Sequence, residues 1–105
     1  MNEQDLLLIM SQLLSLLEYF ELSGIVHRNL EPRNILVIKD KDDGMQTVKI
    51  CDFSNAKIIK PTEKINKNEF YGNIPYVSPE MCSRVDYGKE TDMWSLGIIF
   101  YELMS

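Results

Sequence analysis

The sequence predicts an α+β fold, mainly α, and three observations carry that prediction. A long apolar helical pattern opens the chain at residues 4–22. A second one occupies 91–105. Between them, two short β-branched runs flank a polar turn. Hydrophobic residues make up 45% of the 105 and charged residues 26%, so there is material for a packed core and bulk disorder is excluded.

In the first pattern, Gln4, Ser11, Ser15 and Glu18 fall mostly on one narrow stripe. Leu6, Ile9, Met10, Leu13, Leu14, Leu16, Leu17 and Phe20 fill the rest, so this helix is expected to be buried on most sides. Gly24 is placed to stop it, because glycine readily takes the left-handed conformation that ends helices. Ile35–Ile38 and Thr47–Cys51 read as the strands of a hairpin around Lys39–Gln46, where Asp42, Asp43 and Gly44 suit a turn. Residues 55–73 are rich in lysine and asparagine and lack a period. The stretch is too long for a passive connection, so it is expected to be a functional or a disordered loop. In the last helix Thr91 or Asp92 is expected to cap. Met93, Trp94, Leu96, Ile98, Ile99, Phe100, Tyr101, Leu103 and Met104 leave it almost no polar face. Such a helix belongs at the centre of a domain, and these residues supply little to cover it.

The formal net charge of −5 counts against a nucleic-acid or anionic-membrane partner, since phosphate binding needs a basic surface. Cys51, Cys82 and one histidine cannot build a four-ligand zinc site. The cysteines have no motif spacing and no Asn-x-Ser/Thr site occurs, so a reduced setting, cytoplasmic or nuclear, is expected. The longest apolar run before residue 90 is Leu6–Met10, far short of the roughly 20 residues a bilayer needs. The start Asn2-Glu3-Gln4-Asp5 lacks the positive charge of a signal peptide. Neither a membrane span nor a signal peptide is expected.

Four short motifs occur in one order: His27-Arg28-Asn29-Leu30-Glu31-Pro32-Arg33-Asn34, Asp52-Phe53-Ser54, Ser78-Pro79-Glu80 and Asp92-Met93-Trp94-Ser95-Leu96-Gly97. Each alone is weak; their order on a helix–loop–hairpin–loop–helix frame is a strong joint signal. The chain resembles the large lobe of a eukaryotic protein kinase from about Gln4 to Ser105. The motifs resemble the catalytic loop, the magnesium motif, the end of the activation segment and the central helix. Pro32 in the catalytic loop looks like the Ser/Thr rather than the tyrosine branch, and Tyr71-Gly72-Asn73-Ile74-Pro75-Tyr76-Val77-Ser78-Pro79-Glu80 looks like Ser/Thr kinases of the calcium/calmodulin-dependent or cyclic-nucleotide-dependent type.

The resemblance implies roles for particular residues. Asp52 and Asn34 would ligate Mg²⁺, being oxygen donors of the hard type it prefers; the alternative is that Asp52 caps a turn and Asn34 bonds loop backbone. Leu36 would floor an adenine site for ATP, supported by Ile99 and Leu103, with Cys51 beside it. His27 and Phe53 would stack, and Asp92 would bond the catalytic-loop backbone. Arg28 would pair with a phosphorylated loop residue, and the matching place holds Glu69, which could stand in for the phosphate permanently.

Three positions of one hydrogen-bond cluster depart together from the family's pattern. Asn29 stands where the family has its catalytic aspartate, and an amide cannot accept a substrate proton as a base. Such a loss typically removes a factor of roughly 10² to 10⁴. Glu31 stands in place of the lysine that contacts the transferring phosphate. Asn73 stands in place of the threonine that bonds both groups. The local charge falls from zero to −1, and a unit pair about 4 Å apart is worth on the order of 4 kcal/mol at an effective dielectric of about 20. Glu31 is expected to repel a γ-phosphate; the alternatives are that it swings away as a solvated acid or pairs with Arg33. Ser54 replaces a glycine, which either biases the magnesium loop or is tolerated.

The 105 residues hold no G-x-G-x-x-G. Residues 1–105 are therefore expected to be a partial protein kinase domain without the small lobe or the C-terminal helices, leaving Glu80 without its arginine partner. The expected role is a pseudokinase-like binding or scaffold module with a protein partner. The alternatives are a slow catalytic half needing a separate small lobe, or a truncated product without function. ATP and Mg²⁺ are the expected cofactors by resemblance.

Overall fold

The computed structural model describes residues 2–105. Helix α1 spans Glu3–Ser23. Asn2 caps it by accepting the N–H of Asp5 at 2.8 Å, and Glu3 and Asp5 place negative charge in the first turn, where the helix dipole favours it. Gly24 ends it as expected, at φ 72°. A Cβ there would lie 2.5 Å from the Ile59 carbonyl oxygen, so glycine serves both the turn and the close approach.

Burial of α1 departs from expectation. Ile9, Leu13, Leu17 and Phe20 form one buried stripe, while Leu7, Leu14, Tyr19 and Leu22 are exposed, Leu22 at 80%. The reason is that β1, β3 and α3 all pack on that single stripe. By length and composition α1 is also apolar enough to cross a membrane, with a mean hydropathy of 1.4. Counting consecutive apolar residues missed this because Ser11, Gln12 and Ser15 interrupt the run without lowering the average much. In this fold the stripe is the lobe's core.

After β1 (Ile25–Val26), strands β2 (Ile35–Lys39) and β3 (Gln46–Ile50) form the expected hairpin, in register from Ile35 opposite Ile50 to Lys39 opposite Gln46. Asp40 closes the turn by accepting the N–H groups of Asp42 and Asp43. Gln12 straps the hairpin to α1: its amide donates to the Gln46 carbonyl and accepts from the Val48 N–H, both at 2.9 Å.

The 55–73 stretch is ordered. Its strand β4 (Lys57–Ile58) pairs antiparallel with β1, and Ile65 bridges to Tyr87 through bonds of 2.6 and 3.1 Å. Two-residue strands carry no readable period, so the sequence could not announce this sheet. Val26, Ile59, Ile65, Val77, Met81 and Tyr87 seal a second core beneath it.

A short helix, α2 (Pro79–Cys82), is capped by Ser78. Helix α3 runs Glu90–Met104, one residue earlier than expected, and its cap position is Lys89 without a side-chain bond. Thr91 and Asp92 are therefore buried first-turn residues rather than caps. Thr91 bonds Ser78 at 2.7 Å, and Asp92 reaches across to another element. Leu96 and Ile99 join the first core, while Trp94 and Tyr101 are exposed. A cleft of about 670 Å³ opens between α1 and α3 over Leu17, Phe20, Met93, Trp94 and Ile98.

Candidate functional site

The loop between β1 and β2 carries the first motif, and Asp92 of α3 holds its start. Its carboxylate accepts the His27 N–H at 2.7 Å and the Arg28 N–H at 3.0 Å. Burial pushes the Asp92 carboxyl upward, against these two bonds. Arg28 adopts φ 72° and Asp52 φ 60°, conformations uncommon for side-chain-bearing residues and concentrated at functional sites.

His27 is fully buried. Its Nε2–H donates to the Cys51 carbonyl at 3.0 Å, and its Nδ1 accepts the Asn29 N–H at 3.2 Å. His27 and Phe53 meet edge to face, 4.9 Å apart at 70°, rather than stacked. Phe20, which the sequence argument assigned only to the core, lies parallel to the imidazole at 6.5 Å and edge-on to Phe53 at 5.7 Å. The signal for it was the end of the α1 stripe.

Asn34 is buried and turns its Nδ2 into the loop, donating to the Asn29 carbonyl at 2.8 Å; its Oδ1 remains as a donor oxygen. Asp52 is exposed. Its Oδ1 accepts from the Ser54 hydroxyl at 2.5 Å and the Ser54 N–H at 3.3 Å, and these bonds hold its carboxyl below the usual range. Ser54 itself has no positive φ, so the backbone here does not require glycine. Asp52 Oδ2 makes no hydrogen bond among the described residues. The bonds these two residues make are those of the alternative reading, a turn cap and a loop-backbone bond; each also keeps an oxygen of the hard type that magnesium prefers, and no cluster of three His, Cys, Asp or Glu occurs among the described residues.

Leu36 is 48% exposed on the open face of the hairpin. Ile99 and Leu103 line a separate 220 Å³ cleft with Ile35 and Val37, so they support Leu36 through the hairpin and not directly. Cys51 is half-buried, its thiol 3.3 Å from the Asn34 carbonyl.

Asn29, Glu31 and Asn73 come together. Glu31 is the one buried glutamate among the described residues, at 4% exposure, so it does not swing out into solvent. One of its oxygens accepts from Asn73 Nδ2 at 3.4 Å, the other from Arg33 at 3.3 Å. The Asn29 Oδ1 faces Gly72, where an added Cβ would lie 3.8 Å from it.

Arg28 and Glu69 also meet. The guanidinium bonds Glu69 at 2.9 Å, donates to the Asn55 carbonyl at 2.6 Å and lies 4.4 Å over the Tyr71 ring. Lys57 binds the other Glu69 oxygen at 3.0 Å, and the Tyr87 hydroxyl donates to the Glu69 backbone carbonyl at 2.5 Å. Lys57 and then Arg28 hold the Glu69 carboxyl below its ordinary value. Sequence reasoning missed Lys57, Tyr71 and Tyr87 as members of this network; nothing in a lysine-rich loop distinguishes one lysine from the next.

Comparison with known proteins agrees with this arrangement. The protein kinase domain family matches residues 1–105. The chain is 40% identical over 103 residues to calcium/calmodulin-dependent serine/threonine-protein kinase 1 of Oryza sativa subsp. japonica, covering 98% of this chain and 16% of that protein. It is 41% identical to CDPK-related kinase 1 of Arabidopsis thaliana, over 98% of this chain and 17% of the relative. Human 3-phosphoinositide-dependent protein kinase 1 is 38% identical over 96 residues, 90% of this chain and 16% of the relative. The chain thus spans about one-sixth of the length of these relatives. With the motifs in order on a large-lobe frame, it belongs to the eukaryotic Ser/Thr protein kinase family, as a segment of the kinase domain.

Proposed function

We propose that this segment has lost phosphoryl transfer and acts as a pseudokinase-like binding or scaffold module. The observation that carries this reading is the buried Glu31, bonded to Asn73 and Arg33 beside Asn29. In the family's pattern that place holds a base and a cation for the transferring phosphate; here it holds an amide and a carboxylate. Phosphoryl transfer depends on positioning and charge neutralisation; here an amide stands at the base position, and the Glu31 carboxylate has both oxygens bonded and brings negative charge where the family's pattern has a cation.

The same reading gives Arg28 and Glu69 a regulatory role. Glu69 satisfies the arginine as a phosphate would, so the 55–73 segment is ordered without modification. Bound Mg²⁺ would shield the phosphates of ATP, and Asp52 and Asn34 are the residues that would hold it, with Leu36 and Cys51 at the adenine side.

A second reading is favoured by Asp52 and Asn34 alone: a slow catalytic half completed by a separate small lobe. Calorimetry of ATP with Mg²⁺ on the folded chain separates the two. Binding that disappears in Asp52→Ala favours the second. Absence of binding leaves the scaffold reading, which then predicts a protein partner recoverable by capture.

A further inference from the structure

We infer that Glu31 and Asn73 are a matched pair whose present job is to latch residues 72–77 onto the loop 27–34. Gly72 presses that segment against the loop: a Cβ there would lie 3.0 Å from the Arg28 carbonyl oxygen and 2.9 Å from Val77. Only a glycine at φ 104° allows the approach. The far side of the segment is tied to α3, where the Ser95 hydroxyl donates to the Tyr76 carbonyl at 2.6 Å. On the near side, the Asn73–Glu31 bond is the one hydrogen bond between 72–77 and 27–34 among the described residues.

The chemistry of the pair is specific. A buried carboxylate needs donors on both oxygens, since an unpaired one is costly to desolvate. Asn73 supplies one and Arg33 the other. Arg33 is 75% exposed and free to leave, whereas Asn73 is fixed by the turn at Ile74–Tyr76, in which the Tyr76 N–H bonds the Asn73 carbonyl at 2.9 Å. The amide of Asn73 is therefore the partner that matters. The substitutions at 31 and 73 make sense together and not singly: a lysine at 31 would face the Asn73 NH₂ donor and Arg33, and a threonine at 73 would present a shorter group to Glu31. This inference concerns the coupling of two segments and stands whether or not the chain binds nucleotide.

Hydrogen exchange read by mass spectrometry on the intact chain tests it. Asn73 is exposed, so Asn73→Ala leaves no cavity, and Arg33 still bonds Glu31. The exchange of the Tyr76 amide, which bonds the Asn73 carbonyl, is expected to rise at least several-fold, with amides 63–69 unchanged. Glu31→Lys is expected to open the same amide, and Glu31→Lys with Asn73→Thr to recover part of that opening. Glu31→Gln keeps an acceptor for Asn73 and is expected to preserve protection, which covers the case in which the lysine variant fails to fold. Unchanged Tyr76 exchange in Asn73→Ala, opening in Glu31→Gln as large as in Asn73→Ala, or a double variant as open as Glu31→Lys alone would each overturn the pairing.

Discussion

The start and the middle of the loop 27–34 are built differently. At its start, His27 is fully buried, and the Asp92 carboxylate takes the His27 and Arg28 N–H groups at 2.7 and 3.0 Å. Past its middle, Glu31 is held by bonds of 3.3 and 3.4 Å to an arginine that is mostly solvent-exposed and to an exposed asparagine. Short bonds to buried backbone N–H groups fix a backbone; longer bonds from exposed partners hold a buried side chain less tightly. The difference teaches that in this segment the frame and the chemistry are separable. The frame matches its family, while the cluster at Asn29, Glu31 and Asn73 carries the proposed loss of transfer.

The largest effect should come from breaking the start of the loop. Asp92→Ala leaves two buried N–H donors unpaired, at about 1–3 kcal/mol each. Thermal unfolding should fall by roughly 4–8 °C for every kcal/mol lost in a domain of this size. By contrast, Asn29→Ala should change stability by less than about 0.5 kcal/mol, because its side chain makes no hydrogen bond among the described residues. Equal losses from the two substitutions would erase the contrast.

A middle-sized effect should follow from the activation segment. Glu69→Ala removes the common partner of Arg28 and Lys57, so limited proteolysis should cut within 55–73 several-fold faster. An unchanged cutting rate would remove Glu69 from its regulatory role. The same contact has a pH signature. The Glu69 carboxyl lies below its ordinary value of 4.5 in the folded chain, so the stabilisation is complete above that pH. It is lost as pH falls through the lower folded-state value. Wild type should therefore lose protease protection at 55–73 on acidification below about 4.5, and Glu69→Ala should show no such step.

The smallest effect sharpens the contrast from the other side. Asn29→Asp restores a carboxylate beside a buried one, and no phosphoryl transfer is expected to appear, because Glu31 and Asn73 remain. A transfer rate gained by this single change would show that Asn29 alone was responsible.

Much of this was legible in the sequence. The order of the four motifs, the hairpin and the Gly24 stop all depend on local chemistry that a pattern records. The paired sheet of β1 and β4 was not, because two residues have no period. Thr91 and Asp92 looked like caps because their side chains suit that position, yet tertiary partners at Ser78, His27 and Arg28 claim them inside the helix. The extent of α1 burial was overestimated because a helical pattern reports apolarity, not how many neighbours arrive to cover it. At the site, the resemblance to kinases identified Arg28 and Glu69 as a pair to examine. Lys57, Tyr71 and Tyr87 converge on them only through the fold.

The central claim is that a kinase frame here carries a cluster unable to transfer phosphate. The most direct measurement is transfer of the γ-phosphate of ATP by the purified, folded chain to a generic protein substrate, with Mg²⁺ and with Asp52→Ala as the control. The account predicts no transfer above that control. A metal-dependent rate in the wild-type chain that Asp52→Ala abolishes would contradict it.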